Sequence, residues 1–214
     1  ISNQCNSLLQ LLGLSVSLVG WVCSIVATVL PQWQTKNTDL LQMENFFVGI
    51  WESCVAQEEG PTQCKWYSSL LSLPAHIQVA RILMCTSITF GLLGTLVSIL
   101  GLTCVSYCSK DEAVKRRLTT SGGVLFLFAG ITTFIPVSYV AHVTVVEFMD
   151  PTVPEVVPRW EFGEALFSGW IGSFLLLIGG IVLVTSHCCF RKFSVPLSLN
   201  RPVWVTLRQK TEYV

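Results

Sequence analysis

The sequence predicts a membrane protein, mainly α: a left-handed bundle of four transmembrane helices with a small extracellular antiparallel β-sheet stapled by one disulfide. Three observations predict it. The 214 residues are 51% hydrophobic and 12% charged, against about 25% charged in a soluble domain. Four windows of 23 residues lack Asp, Glu, Lys and Arg. One cysteine-bracketed polar stretch, GIWESCVAQEEGPTQC at 49–64, interrupts a chain otherwise rich in Leu, Val, Ile and Gly.

The windows are 8–30, 82–104, 118–140 and 165–187. A helix rises about 1.5 Å per residue, so about 20 residues cross a hydrocarbon core about 30 Å thick. The windows are continuously apolar, without the alternation of a lipid-facing strand. Each therefore reads as a spanning helix. The first exceeds a secretory h-region and follows no basic residue, which predicts an uncleaved helix.

Between them lie outer loop 1 (31–81), a cytoplasmic loop (105–117), outer loop 2 (141–164) and a cytoplasmic tail (188–214). The connections are too short for a second domain, so 1–214 is one unit. Orientation follows from basic residues, which collect on cytoplasmic loops. Nine of the thirteen lie at 110–117 and 191–210; Lys36, Lys65, Arg81 and Arg159 fall on the other side with ten of the thirteen acids. Both termini are thus expected inside and both longer loops outside.

Compartment gives the nine cysteines their meaning. Only Cys54 and Cys64 face the oxidising side, where they are expected to pair. A zinc site would need four ligands, and only His76 shares the loop, so no metal and no cofactor is expected. Cys23 and Cys85 read as buried small hydrophobes. Cys104, Cys108, Cys188 and Cys189 end helices at the cytoplasmic edge, where juxtamembrane thiols are either palmitoylated or left unmodified.

Outer loop 1 contains β-prone runs, FFVGIW and CKWY, around the turn signal EEGP at 58–61. This predicts a hairpin, with residues 68–82 helical where the chain re-enters the bilayer. Outer loop 2 carries Pro151, Pro154 and Pro158, which permit edge pairing at most. Pro136 removes a backbone hydrogen bond inside helix three and is expected to bend it. Gly91, Gly94, Gly101, Gly179 and Gly180 are expected at close helix contacts.

Trp33, then Gly49-Ile50-Trp51, Cys54 and Cys64 resemble the W…G-L-W…C…C signature of claudins and their wider superfamily, with isoleucine in place of leucine. That signature is shared with myelin-type proteins and with auxiliary subunits of channels and receptors. Arg81 at the start of helix two, FMDP at 148–151, RWEFGEALFSGW at 159–170 and the terminal KTEYV narrow the resemblance to claudins. It covers nearly the whole chain except most of the tail.

The resemblance implies a plasma-membrane protein of tight junctions, made for cell–cell adhesion and a paracellular barrier or channel. Its expected partners are other claudins in cis and trans, PDZ scaffolds of the ZO type, and the bilayer. Glu212, Tyr213 and Val214 would be the PDZ ligand, adding as a strand to a sheet edge. Phe148, Met149, Asp150 and Pro151 would meet a facing cell's claudin, with unused surface as the plain alternative. Trp33 and Trp51 either anchor at the membrane interface or pack beneath the sheet.

In claudins the residue after the second cysteine often faces the pore, and here it is Lys65. Asp39, Glu44, Glu52, Glu58 and Glu59 oppose it by count. A unit charge about 6 Å from an ion contributes about 0.7 kcal/mol in water and about 3 at an effective dielectric of 20. The expectation is an anion-permeable channel or a cation barrier; a lysine on a solvated face is the rival.

No enzyme constellation appears, no acid sits inside a window as a proton relay, and KRR at 115–117 reads as a topology signal rather than a nucleic-acid patch. Two functions remain, the junctional one and that of an auxiliary subunit modulating another membrane protein.

Overall fold

The computed structural model describes residues 2–37, 44–57, 60–69, 73–102, 112–151 and 157–186. Four helices carry the chain: α1 (Ser2–Val29), α2 (Ala75–Gly101), α3 (Glu112–Phe148) and α4 (Glu164–Thr185). All four are long and apolar enough to cross a membrane. Helix α1 packs along α4, α4 along α3 and α3 along α2, with a lighter α1–α2 contact. Val19, Val22, Leu92, Leu96, Phe174 and Ile178 remain exposed on the outside; this is the face a bilayer covers.

With lipid on that face, hydrophobic transfer gives helices little reason to associate, so close packing and hydrogen bonds must do it. A Cβ on Gly20 would lie 2.8 Å from the Gly172 carbonyl oxygen, and one on Gly179 would lie 2.8 Å from that of Gly13. Helices α1 and α4 therefore touch along a seam of glycines. Gly180 approaches the Gly123 carbonyl of α3 in the same way, and Gly91 accommodates the Trp21 ring. In the bundle interior the Ser87 hydroxyl lies 2.6 Å from that of Thr133, which lies 3.5 Å from that of Ser24. Three helices meet at this buried knot of hydroxyls.

Three helices start well before their charge-free windows, α1 at Ser2, α2 at Ala75 and α3 at Glu112. Helix α2 starts at Ala75 because Pro74 fixes φ at −55° and serves as N-cap; residues 68 and 69 are not helical, contrary to the expected helix over 68–82. Arg81 consequently sits in the second turn rather than at the helix start. Helix α3 runs past Val140 to Phe148, since AHVTVVEF contains neither Gly nor Pro, and Pro151 is the first breaker. His142, just past the third charge-free window, lies within α3. The helix runs on through Pro136.

Above the bundle stands a five-stranded antiparallel sheet: β1 (Gln34–Asn37), β2 (Glu44–Val48), β3 (Glu52–Gln57), β4 (Gln63–Trp66) and β5 (Glu161–Phe162), in the order β4-β3-β2-β1-β5. Outer loop 2 thus contributes one short edge strand, as its prolines allowed. The first strand, QTKN, has no β-prone residue run and forms between two partners. The sheet is joined to α3 by Gln34, whose Nε2 donates to Thr144 Oγ1 at 2.7 Å.

Candidate functional site: the outer sheet and its root

The root of the sheet is built from the tryptophan signature. Trp33 is fully buried, and its indole N–H donates to the Ala27 carbonyl at 2.8 Å, just below the end of α1. Its backbone N–H donates to Val48 O at 2.9 Å, which fixes β1 against β2. Ile50 is equally buried, in a cluster with Ala27, Ala80 and Met84. The Ile-for-Leu change, between isomeric side chains, therefore sits in packed interior, where shape rather than polarity is at stake. Gly49 is required by proximity: a Cβ there would lie 2.6 Å from Pro31 Cα.

Arg81 closes the root. Its Nε donates to the Ile50 carbonyl, and its guanidinium lies 5.0 Å from the Trp51 ring and 5.4 Å from the Tyr67 ring. A cation between two aromatic faces is held by their quadrupoles. Trp33 and Trp51 thus pack beneath the sheet. Burial raises the Tyr67 hydroxyl above the ordinary tyrosine value, while a hydrogen bond with Ser53 and the Arg81 charge pull it the other way.

Cys54 and Cys64 form the disulfide, with Cα atoms 4.0 Å apart, directly across the β3–β4 ladder. Because side chains alternate along strands, this pairing sorts the outer charges. Glu52 lies two residues from Cys54, opposite Trp66, and its carboxylate falls within 4.8 Å of both sulfurs. The sulfurs are bonded to each other and offer no thiolate to a metal. Lys65 pairs with Ser53 on the other face and borders an open groove of about 370 Å³ with Val55, Gln57 and Gln63.

The register carries this division across the sheet. Lys36 pairs with Phe46, which pairs with Val55, so Lys36 shares the face of Lys65. Glu161 pairs with Thr35 and belongs to the face of Glu52. Glu44 holds the register position opposite Gln57. The candidate selectivity residues are therefore not one cluster: Lys65 and Glu52 stand on opposite faces. Glu58 and Glu59 lie outside the described residues, as does Asp39.

At the other side of the sheet, Phe148, Met149, Asp150 and Pro151 follow one another at the outer end of α3, with Met149 72% exposed. Arg159 donates to the Phe148 carbonyl and lies 5.5 Å from its ring. Thr144, Val145, Phe148, Met149, Trp160 and Phe162, with Glu161, line a mainly apolar groove of about 420 Å³. Cys104, Cys108, Cys188 and Cys189, together with Glu212, Tyr213 and Val214, fall outside the described residues.

Residues 7–183 match the model of the PMP-22/EMP/MP20/Claudin family. The chain belongs to that family. Among its relatives, Claudin-7 of Mus musculus is 39% identical over 184 residues, covering 85% of this chain and 87% of the relative. Claudin-1 of Mus musculus is 39% identical over 190 residues, covering 87% and 89%. Claudin-19 of Mus musculus is 41% identical over 187 residues, covering 86% and 81%. Within this claudin-type chain the sequence reading missed the seam formed by Gly13, Gly20 and Gly172; small residues at spacings of seven in α1 and α4 were its only signal. It also missed Gln34 and Tyr67. Neither belongs to a motif, and only the register and the fold bring them to their partners.

Proposed function

We propose that this protein forms adhesive strands at tight junctions and sets the paracellular permeability there, with the face that carries Lys36 and Lys65 turned to the ion path. The family relationship supports the junctional role. The observation that carries the selectivity is the distribution of charge by register: both described lysines of the sheet lie on one face, where Glu44 holds the one acidic register position, while Glu52 and Glu161 lie on the other. On that distribution, anions are favoured or cations excluded.

The excess of basic residues at 110–117 and 191–210 supports cytoplasmic termini. In the cytoplasm Glu212, Tyr213 and Val214 would engage PDZ scaffolds of the ZO type, and Cys104, Cys108, Cys188 and Cys189 would be open to acylation. Outside, Phe148, Met149, Asp150 and Pro151 would meet claudins of the facing cell, with further copies or other claudins as cis neighbours.

The test is expression in epithelial cells lacking their own claudins, read by strand formation and by dilution potentials. Lys65→Glu is expected to move the permeability ratio severalfold toward cations, on the scale of about 0.7 to 3 kcal/mol per reversed contact. Glu52→Gln, on the far face, is expected to change it much less. Unchanged selectivity in Lys65→Glu rules out the pore-facing role; the absence of strands and of any conductance change rules out the junctional one.

A further inference from the structure

Trp66 is 68% exposed, although it ends a strand and immediately precedes Tyr67, which packs on the buried core at the root. Strand β4 descends toward the bundle: the Tyr67 backbone N–H donates to Trp51 O at 3.2 Å, and its ring lies 5.4 Å from the Arg81 guanidinium. Arg81 is the last charge before the uncharged stretch that begins at Ile82. Val79 and Ile82, at 41% and 58% exposed, continue the outer apolar face of α2 to that level. Trp66 is therefore one residue along the chain from the side chain that packs on Arg81. The headgroup zone occupies about 5 to 8 Å on each side of the core, and its mixed polarity suits an indole, apolar in body with one N–H donor.

We propose that Trp66 docks on the outer leaflet, its ring at the boundary between phospholipid headgroups and acyl chains, so that the free edge strand β4 is tied to the bilayer as well as to β3. The occupant of this exposed aromatic surface is lipid rather than a second copy of the chain, because the backbone beside it is bonded to Trp51 O at the level of Arg81, where the uncharged stretch of α2 begins. Glu52, directly across the ladder, is then at headgroup depth, where a carboxylate remains hydrated and can meet the ammonium of a zwitterionic lipid. The inference rests on the membrane fold alone and is independent of ion selectivity.

Fluorine NMR of the full chain labelled with 5-fluorotryptophan, one copy per phosphatidylcholine nanodisc, tests it. The Trp66 resonance is assigned by its loss in Trp66→Phe or, should that variant fail to fold, in Trp66→Tyr. A phosphatidylcholine spin-labelled high on its acyl chain is expected to broaden this resonance roughly twofold or more beyond the effect of a water-soluble gadolinium chelate. Equal or greater broadening by the chelate overturns the proposal, because with one copy per disc it shows the ring in water when no other protein competes for it.

Discussion

The two edges of the outer sheet are held by different means. At the β5 edge, helix and strand run into each other: Gly163 N–H donates to Trp33 O and Ala165 N–H to Gln32 O, both at 3.0 Å. Phe162 adds edge-on contacts with Phe167 and Trp170 of α4, at 6.5 and 6.2 Å between centroids. At the β4 edge the described residues after the strand, 67–69, are not helical. This edge is fastened by the disulfide to β3 and, at its lower end, by Tyr67 against Arg81. An edge that grows out of the bundle can rely on many weak contacts, whereas one that leaves it benefits from a covalent link.

Removing that link should separate the two edges most. A Cys54→Ser/Cys64→Ser variant loses about 2.5 to 3 kcal/mol in the chain-entropy account, and hydrogen exchange in β3 and β4 is expected to rise about a hundredfold, with that converted at about 1.4 kcal/mol per decade. Exchange in β1 and β5 should change little. If both edges loosen together, the sheet opens as one unit and the contrast between them fails.

A smaller effect is expected on the other side. Gln34 is nearly buried, and Gln34→Leu removes its bond to Thr144 while the threonine hydroxyl keeps its own acceptor at Val140 O. The net loss is about 1 kcal/mol, seen as modestly faster exchange confined to β1 and β5. Spread of that change into β4 would contradict independent fastening.

The smallest effect lies at the foot of β4. Burial raises the Tyr67 pKa, so above the ordinary tyrosine value near 10 the folded chain retains a proton that the unfolded chain releases. The stabilisation tied to the neutral phenol is full below about pH 10 and declines as pH rises through the raised value. Tyr67→Phe should flatten this alkaline slope in unfolding measurements. A slope unchanged by the substitution would assign the titration elsewhere.

Much of this architecture was legible in the residues themselves. Uncharged windows revealed the four helices, and the side of the membrane singled out the two cysteines that pair. A window of 23 residues, however, is cut to the thickness of a bilayer, so it missed the outward run of α3, where the uncharged stretch continues to Val146 and the helix to Phe148. The site was harder to read. Glu52 and Lys65 are both outer-loop charges close to the disulfide, and only strand register shows that they point apart. QTKN carries no strand signal because its conformation is imposed by neighbours on both sides.

Helix α3 has one more consequence. Its 37 residues are helical throughout, a contour of about 55 Å that passes through Pro136, and the sheet grips it near its C-terminal end through Gln34 and Thr144. Bilayers of different thickness tilt such helices to match their apolar length. Because the helix continues through Pro136 to Thr144, a tilt of this part carries the β1–β5 side of the sheet with it, coupling local lipid thickness to the angle of the sheet.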